Sequence, residues 1–384
     1  MIYITTPQSP VYPQITLEEL LFMPDYNPKP ILWNFANTRT REAERAPAEL
    51  MRKIDVNALI SRLSKFNADT EYLRSKPRKE LYREFFIPKK GSEGGRIKWR
   101  RIDAPNPDLM NALYTLKSIF EDNFRVLYHT SAFAYIKKRS TIDAIKRHQE
   151  NESRWFGKYD LSDFFGSTTL DFVMDMFSMV FPISEVARRP DGRAELRKAL
   201  ELAFLDGGLP QGTPISPLIT NVMMIPIDFK LSNGLRSLEN QRYIYTRYAD
   251  DFLVSSRFDF DFRKIEKYIV DTLRGFGAPF SINSEKTRYG SSSGKNFNLG
   301  LMLNKDNQIT VGHKKKRQLQ AMLSSYVMDK MHGKSWEKND VQAMEGYRNY
   351  YHMVEGEVID RIVQHLNEKF RVDIMQMIRE DLKV

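Results

Sequence analysis

Residues 246–256 read TRYADDFLVSS, with Asp250 and Asp251 side by side. The flanking runs, YIYTRY at 243–248 and FLVS at 252–255, are rich in aromatic and β-branched residues and predict two strands. A tight hairpin tip favours Asn-Gly or Asp-Gly, because both central residues need positive φ. An Asp-Asp pair offers no such advantage, and adjacent carboxylates repel. The choice lies between a solvated tip and carboxylates held together for a cation. The long strand context on both sides favours the cation.

Working outward, a short strand at 155–159 (WFGKY) leads into Asp160. Helical material at 194–205 and 215–225 separates it from the aspartate pair. Ile265, Tyr268, Ile269, Leu273 and Phe276 then recur at helical spacing. Strand–helix–strand–strand–helix–strand is the order of a split βαβ sheet. In such a sheet Asp160 ends a central strand beside Asp250 and Asp251 on the neighbouring hairpin. Three carboxylates this close repel by about several kcal/mol unless a cation lies among them. Two Mg²⁺ ions, or Mn²⁺ in their place, would supply it and support an in-line phosphoryl displacement. In LPQGTPISPLITNVM (209–223), Gly212 and Pro214 make a tight backbone approach to a helix starting near Ser216 and Pro217. Gln211, at the edge of that loop, can face a base pair. An ordinary helix start is the plainer reading.

The stretch from Arg74 to Arg101 is strongly basic, with Phe85, Phe86, Ile87, Trp99 and Ile102 interleaved and a turn predicted at GSEGG (91–95). It reads as a β-hairpin carrying cations and aromatic residues, against a merely solvated charged face. Helical spacing also marks residues 48–66 and 107–128. Strand-like runs follow at 298–303 and 308–311. In the tail, Leu319, Met322, Leu323, Tyr326 and Val327 repeat at helical intervals behind LysLysLysArg (314–317), and Ile359, Ile362, Val363 and Leu366 do the same. Most of these stripes are core.

The whole chain, 384 residues with a net charge of +10, is ordinary in apolar content and suits a polyanionic partner. It holds no cysteine, which removes disulfides, thiolate nucleophiles and Cys-based zinc sites. No run is apolar over the roughly 20 residues of a membrane span, and the start lacks the features of a signal peptide. A soluble cytoplasmic protein without membrane contact is the expectation.

Seven segments stand in a fixed order: KWRRIDAP (98–105), AFAYIKKRSTIDAI (132–145), KYDLSDFF (158–165), QGTPISP (211–217), YADD (248–251), NSEKT (283–287) and NLG (298–300). In that order they resemble the motifs of the reverse transcriptases, especially the bacterial branch of group II intron, retron and defence-associated enzymes. The resemblance runs nearly end to end. It implies an α+β right-hand polymerase fold: an N-terminal extension at 1–70, fingers at 71–154, a split-βαβ palm at 155–303 with a helical insertion near 183–208, and a helical thumb at 304–384.

Carried over by position, the resemblance makes Asp160, Asp250 and Asp251 the metal ligands. Asp163 would sit by the triphosphate, mainly through its backbone. Phe165 would be the aromatic gate against a ribose 2′-OH, and Gln211 and Gly212 would meet the incoming dNTP. Arg100, with Arg101 as its rival, would clamp the triphosphate, since a guanidinium fork suits phosphate oxygens. Lys286 would be the general acid toward pyrophosphate, and Leu299 with Gly300 would shape the primer grip. The partners implied are an RNA template, above all a non-coding RNA, dNTPs and the DNA product.

The SP ending of QGTPISP differs from the SQ of diversity-generating elements. LGLMLN stands where retron enzymes carry VTG, so the resemblance points first to stand-alone defence enzymes of the unknown-group or abortive-infection kind. A retron-type enzyme copying a dedicated RNA and an untemplated or protein-primed polymerase are the enzymatic alternatives. A maturase-like RNA-binding scaffold is the non-enzymatic one.

Overall fold

In the basic stretch, β1 (Tyr82–Pro88) and β2 (Trp99–Pro105) pair antiparallel, with Phe85 opposite Ile102 and Phe86 opposite Arg101. Phe86 and Trp99 are largely exposed on this ribbon. The computed structural model describes residues 55–88, 99–124, 128–238, 241–294 and 299–383. The predicted N-terminal arm, the first part of the 48–66 helix, the GSEGG turn, the end of the 107–128 helix before Tyr128 and Asn298 lie outside those residues.

The strands β3 (Trp155–Asp160), β4 (Ile244–Tyr248), β5 (Asp251–Ser256) and β6 (Arg288–Ser291) form one sheet in the order β4-β5-β3-β6. That order is the split βαβ arrangement, and it sets β3 directly beside the strand that begins at Asp251. The fourth strand falls on RYGS, a short polar run that alternation does not mark. The described part of the apolar NLGLML run contributes β7 (Met302–Leu303), paired with β8 (Ile309–Thr310) in a separate ribbon.

The chain divides into two compact units. One takes in the described residues up to Arg139, with Gly157–Val254 and Asp261–Arg288. Its helices bury Leu59, Leu63 and Phe66 on Val56–Asp69, Leu109, Leu113, Leu116 and Phe120 on Pro107–Phe124, and Ile265, Ile269 and Leu273 on Phe262–Gly275, whereas Tyr268 and the C-cap residue Phe276 of the last stripe are only half-buried. The first and last of these helices start on aspartate caps, Asp55 and Asp261, whose carboxylates accept from backbone amides of the first turn. Asn67 donates to the Glu195 carbonyl at 2.9 Å and so ties the first helix to Pro190–Glu201.

The other unit comprises Ser140–Phe156, Ser255–Phe260 and Tyr289–Val384. Its helix Thr141–Glu150 opens with a Ser140–Asp143 capping box. His148 on that helix is fully buried, with Nδ1 2.6 Å from Ser255 Oγ, which in turn donates to Ser153 Oγ at 2.7 Å. Burial pushes the imidazole down to about 3, so it stays neutral. The tail forms the helices His313–Met331, Lys338–Phe370 and Ile374–Lys383, with Leu319, Leu323, Tyr326, Val327, Ile359, Val363 and Leu366 buried. The longest helix breaks at Glu355 (φ −138°, ψ 59°). There the Glu355 carboxylate turns to accept from Thr310 Oγ1, Val311 N and Lys316, each at 2.8 Å. Among the described residues no helix is long and apolar enough to cross a membrane.

Candidate active site

The aspartates come together because of how three backbone segments meet. Ala249, at positive φ (57°), makes the turn between β4 and β5. The Asp250 carbonyl accepts from Leu161 N at 3.0 Å, and the Asp160 carbonyl accepts from Asn283 N at 2.7 Å. The end of β3, the YADD turn and the NSEKT segment are thereby stitched together. On β3 residues two apart share a face, so Lys158 and Asp160 emerge on the same side.

Asp160 is almost wholly buried and receives Lys286 Nζ at 2.9 and 3.1 Å. Lys158 Nζ lies 2.9 Å from Asp251 Oδ1, an ion-pair contact without hydrogen-bond geometry. Burial, then the charges of Asp251 and Asp160, push the Asp250 carboxyl up to about 6. Asp251 is raised as well, first by burial and then by Asp160, against the pull of Lys158. Burial works against the Lys286 ammonium, but the hydrogen bond and charge of Asp160, with Asp250 and Asp251 behind it, outweigh burial and raise its pKa. It stays protonated.

These residues fit divalent metal ions by their donor chemistry. The donors are hard carboxylate oxygens whose charge is raised in energy by burial and mutual repulsion, and two ammonium groups are drawn in against them. As they stand, no group of three His, Cys, Asp or Glu side chains among the described residues is drawn together into a metal cage. The lysines hold two of the carboxylates instead. A metal ion there would have to displace Lys286 from both oxygens of Asp160 and compete with Lys158 for Asp251.

A stability effect follows from the raised Asp250. The folded state prefers the protonated carboxyl, so stability is lost as pH rises from about 4 to about 6 and the full cost is carried above that. In metal-free buffer containing EDTA, Asp250→Asn is expected to stabilise the protein at pH 7.5 by about 1–3 kcal/mol. The gain should shrink as pH falls from 6 and vanish below about pH 4, where the wild-type carboxyl is protonated in both states. Denaturant unfolding at several pH values measures it, and an unchanged or lowered stability at pH 7.5 contradicts it.

A cleft of about 390 Å³ is lined by Trp99, Arg100, Arg101, Gln211 and their neighbours, and by Asp163, three residues after Asp160 in the same segment. The Gln211 carbonyl accepts from Asp103 N at 2.9 Å, which pins the QG loop to β2. Gly212 sits at φ 117°, and a β-carbon there would press on Ile102 and the Asp103 carbonyl. Only glycine makes that approach without strain. Ser216 Oγ donates to the Pro210 carbonyl at 3.0 Å and lies 2.6 Å from Thr213 Oγ1, fixing the other side of the loop. Leu209 N donates to the Phe165 carbonyl at 2.9 Å, so the loop and the KYDLSDFF segment hold one another. Phe165 is half-buried, edge-on to Tyr135 and Phe164. Asp163 is exposed at positive φ (42°), with its carboxylate folded over Gly166.

The two candidate arginines differ. Arg101 is held by Asp103 (2.8 Å), Glu84 (3.2 Å) and Asp206 (3.5 Å), and its pKa is raised, foremost by the Asp103 hydrogen bond. Arg100 is exposed in the same cleft. Arg101 is therefore committed to carboxylates, and Arg100 is the better placed for an anionic ligand. In the other unit, Leu299 and Gly300 both take positive φ, and Lys315 donates to the Gly300 carbonyl at 2.6 Å. Lys158 was not marked by its sequence pattern, although its place two residues before Asp160 on a strand was a usable signal.

A family model described as reverse transcriptase (RNA-dependent DNA polymerase) matches residues 87–320. The retron Ec73 reverse transcriptase of Escherichia coli is 31% identical over 51% of this chain and 62% of its own. The retron Ec83 reverse transcriptase of the same species is 25% identical over 77% of this chain and 90% of its own. Among solved structures, telomerase from Candida albicans in complex with the TWJ fragment of telomeric RNA aligns over 78% of this chain and 56% of that chain, with a TM-score of 0.44 and 12% identity.

Proposed function

The chain belongs to the reverse transcriptase family, and from that premise we propose that it is an RNA-directed DNA polymerase acting by two-metal nucleotidyl transfer. The observation that carries this reading is the convergence of Asp160, Asp250 and Asp251, with Arg100 and Gln211 together in a cleft that Asp163, from the segment of Asp160, also lines. Two Mg²⁺ ions, or Mn²⁺ in their place, held by the three aspartates would activate a 3′ hydroxyl and take up charge on the departing pyrophosphate. Arg100 binds the triphosphate, and Arg101 keeps Asp103 and the loop around Asp206 in place beside it. The Asp163 backbone lines the triphosphate site. Phe165 bars the 2′-OH of a ribonucleotide, and the Gln211–Gly212 backbone lies against the nascent base pair. Lys286, protonated at rest, gives up its Asp160 contact and donates a proton to the leaving pyrophosphate.

In this reading residues 71–154 serve as fingers, 155–303 as palm and 304–384 as thumb, with the basic start of helix His313–Met331 following the template–primer backbone. Two of the similar proteins are retron reverse transcriptases, which favours a dedicated non-coding RNA as template over the stand-alone kind suggested by LGLMLN. The biological role proposed is anti-phage defence in the bacterial cytoplasm.

Template and class are tested together by purifying the protein from its cells and sequencing the nucleic acid that travels with it. A discrete RNA accompanied by complementary DNA is the expected result. An enriched RNA with no complementary DNA supports the scaffold reading and overturns this one, as does the absence of any enriched RNA.

A further inference from the structure

Behind the YADD turn lies a charged pair that the chemistry above does not use. Arg247 on β4 and Asp228 on helix Ile225–Ser237 are both fully inaccessible to solvent. Arg247 Nε donates to the two Asp228 oxygens at 2.9 and 3.2 Å, and Nη2 donates to Oδ2 at 2.8 Å. Tyr245 donates its hydroxyl to Asp228 Oδ1 at 2.8 Å. A buried pair of this kind must recover the cost of desolvating two ions, and an apolar pair of equal volume often stabilises a core as well. Stability alone is a weak account of why charge stands here.

The remaining donors of Arg247 supply a stronger one. Nη1 donates to the carbonyl of Ala249 at 3.2 Å, the residue whose positive φ creates the turn carrying Asp250 and Asp251. Nη2 also donates to Asn221 Oδ1 at 3.2 Å, on the helix that follows QGTPISP. Asn221 in turn donates to the Ala134 carbonyl at 2.8 Å, one residue before Tyr135, whose ring meets Phe165. The backbone of Arg247 is clamped too: its amide donates to the Ser131 carbonyl at 2.6 Å and its carbonyl accepts from Phe133 N at 2.9 Å. The guanidinium thus touches the turn that carries two of the aspartates and the helix behind the QG loop, while Asn221 and the Arg247 backbone extend the contact to the segment beside Phe165. Its planar fork, with donors in fixed directions, can hold these acceptors at once, whereas a lysine ammonium cannot reach them all.

We propose that Arg247, anchored by Asp228, is a positioning residue for the catalytic turn: through the Ala249 carbonyl it fixes where Asp250 and Asp251 stand relative to Asp160. It touches neither substrate nor metal. The inference rests on the polymerase reading above.

Arg247→Lys keeps the charge beside Asp228 and drops the bonds to Ala249 and Asn221. The expected result is a turnover per active site lower by on the order of 10–100-fold, with the KM for dNTP within about twofold of wild type; the melting temperature falls because buried acceptors lose their partners, so turnover is normalised to titrated active sites. Mn²⁺ binding, followed by electron paramagnetic resonance without nucleotide, should weaken by about tenfold. The paired replacement Arg247→Met with Asp228→Leu removes the ions and fills the space. It should lose turnover at least as severely in molecules that active-site titration counts as folded. Wild-type turnover and Mn²⁺ affinity in Arg247→Lys overturn the proposal. So does a loss explained wholly by fewer folded molecules, with turnover per active site intact. If the unaltered protein shows no metal-dependent incorporation, the polymerase reading fails instead, and the Mn²⁺ measurement still decides whether Arg247 sets the turn.

Discussion

An Asp250→Asn, Asp251→Asn double variant is expected to lose metal-dependent dNTP incorporation by on the order of 10⁴-fold or more while remaining folded. Asparagine keeps the shape of each side chain and removes its charge, so the β4–β5 turn, the Leu161 to Asp250 backbone bond and the sheet order should persist. What disappears is the negative charge that would bind divalent cations against the competition of Lys158 and Lys286. With Asp160 alone, already paired to Lys286, a cation gains too little to displace the ammonium. The folded control comes from the same chemistry: removing a carboxylate that prefers to be neutral should not weaken the protein in EDTA. Incorporation within tenfold of wild type would remove the catalytic reading and leave an RNA-binding scaffold as the better account. Primer extension with a defined RNA template, on protein whose melting curve is recorded in parallel, separates the two.

The second large effect concerns which sugar is accepted. Phe165 is edge-on to both Tyr135 and Phe164, and its carbonyl is tied to Leu209, so its ring has two aromatic neighbours and its backbone is fixed. If that ring stands where a 2′-OH would fall, Phe165→Ala opens the space with little disturbance of the loop. Ribonucleotide incorporation should then rise by about 10–100-fold relative to dNTP incorporation, with dNTP turnover falling by no more than about tenfold. Single-nucleotide extension with dNTP and rNTP in parallel gives the ratio. A large loss of both with the ratio unchanged assigns Phe165 to packing alone.

The sheet around the aspartate pair was legible because its strands are apolar, aromatic and interrupted only where the chain turns. Helical spacing likewise marked the buried stripes that the structure shows. β6 escaped because RYGS has no alternation to detect, and NLGLML, although apolar, gives only a two-residue strand. The proximity of Asp160 to Asp250 and Asp251 was legible because a split βαβ sheet sets the end of one strand beside the next hairpin, and the close approach at Gly212 because only glycine allows it. Arg100 and Arg101 could not be separated that way. The difference lies in Glu84, Asp103 and Asp206, which reach Arg101 from distant parts of the chain. The pairing of Arg247 with Asp228 was hidden for the same reason: nothing local marks an arginine on a strand as buried rather than solvated.

Joint metal binding by the three carboxylates is the step on which catalysis here depends. Crystals of the protein with an RNA template, a DNA primer lacking its 3′ hydroxyl, the matching dNTP and Mn²⁺ can be measured at the manganese absorption edge. The predicted result is two anomalous peaks, each at coordination distance from at least one of Asp160, Asp250 and Asp251, with the Lys158 and Lys286 ammonium groups moved off those carboxylates. Manganese absent from the three aspartates, with both lysines still in contact and nucleotide bound in the cleft, would contradict it.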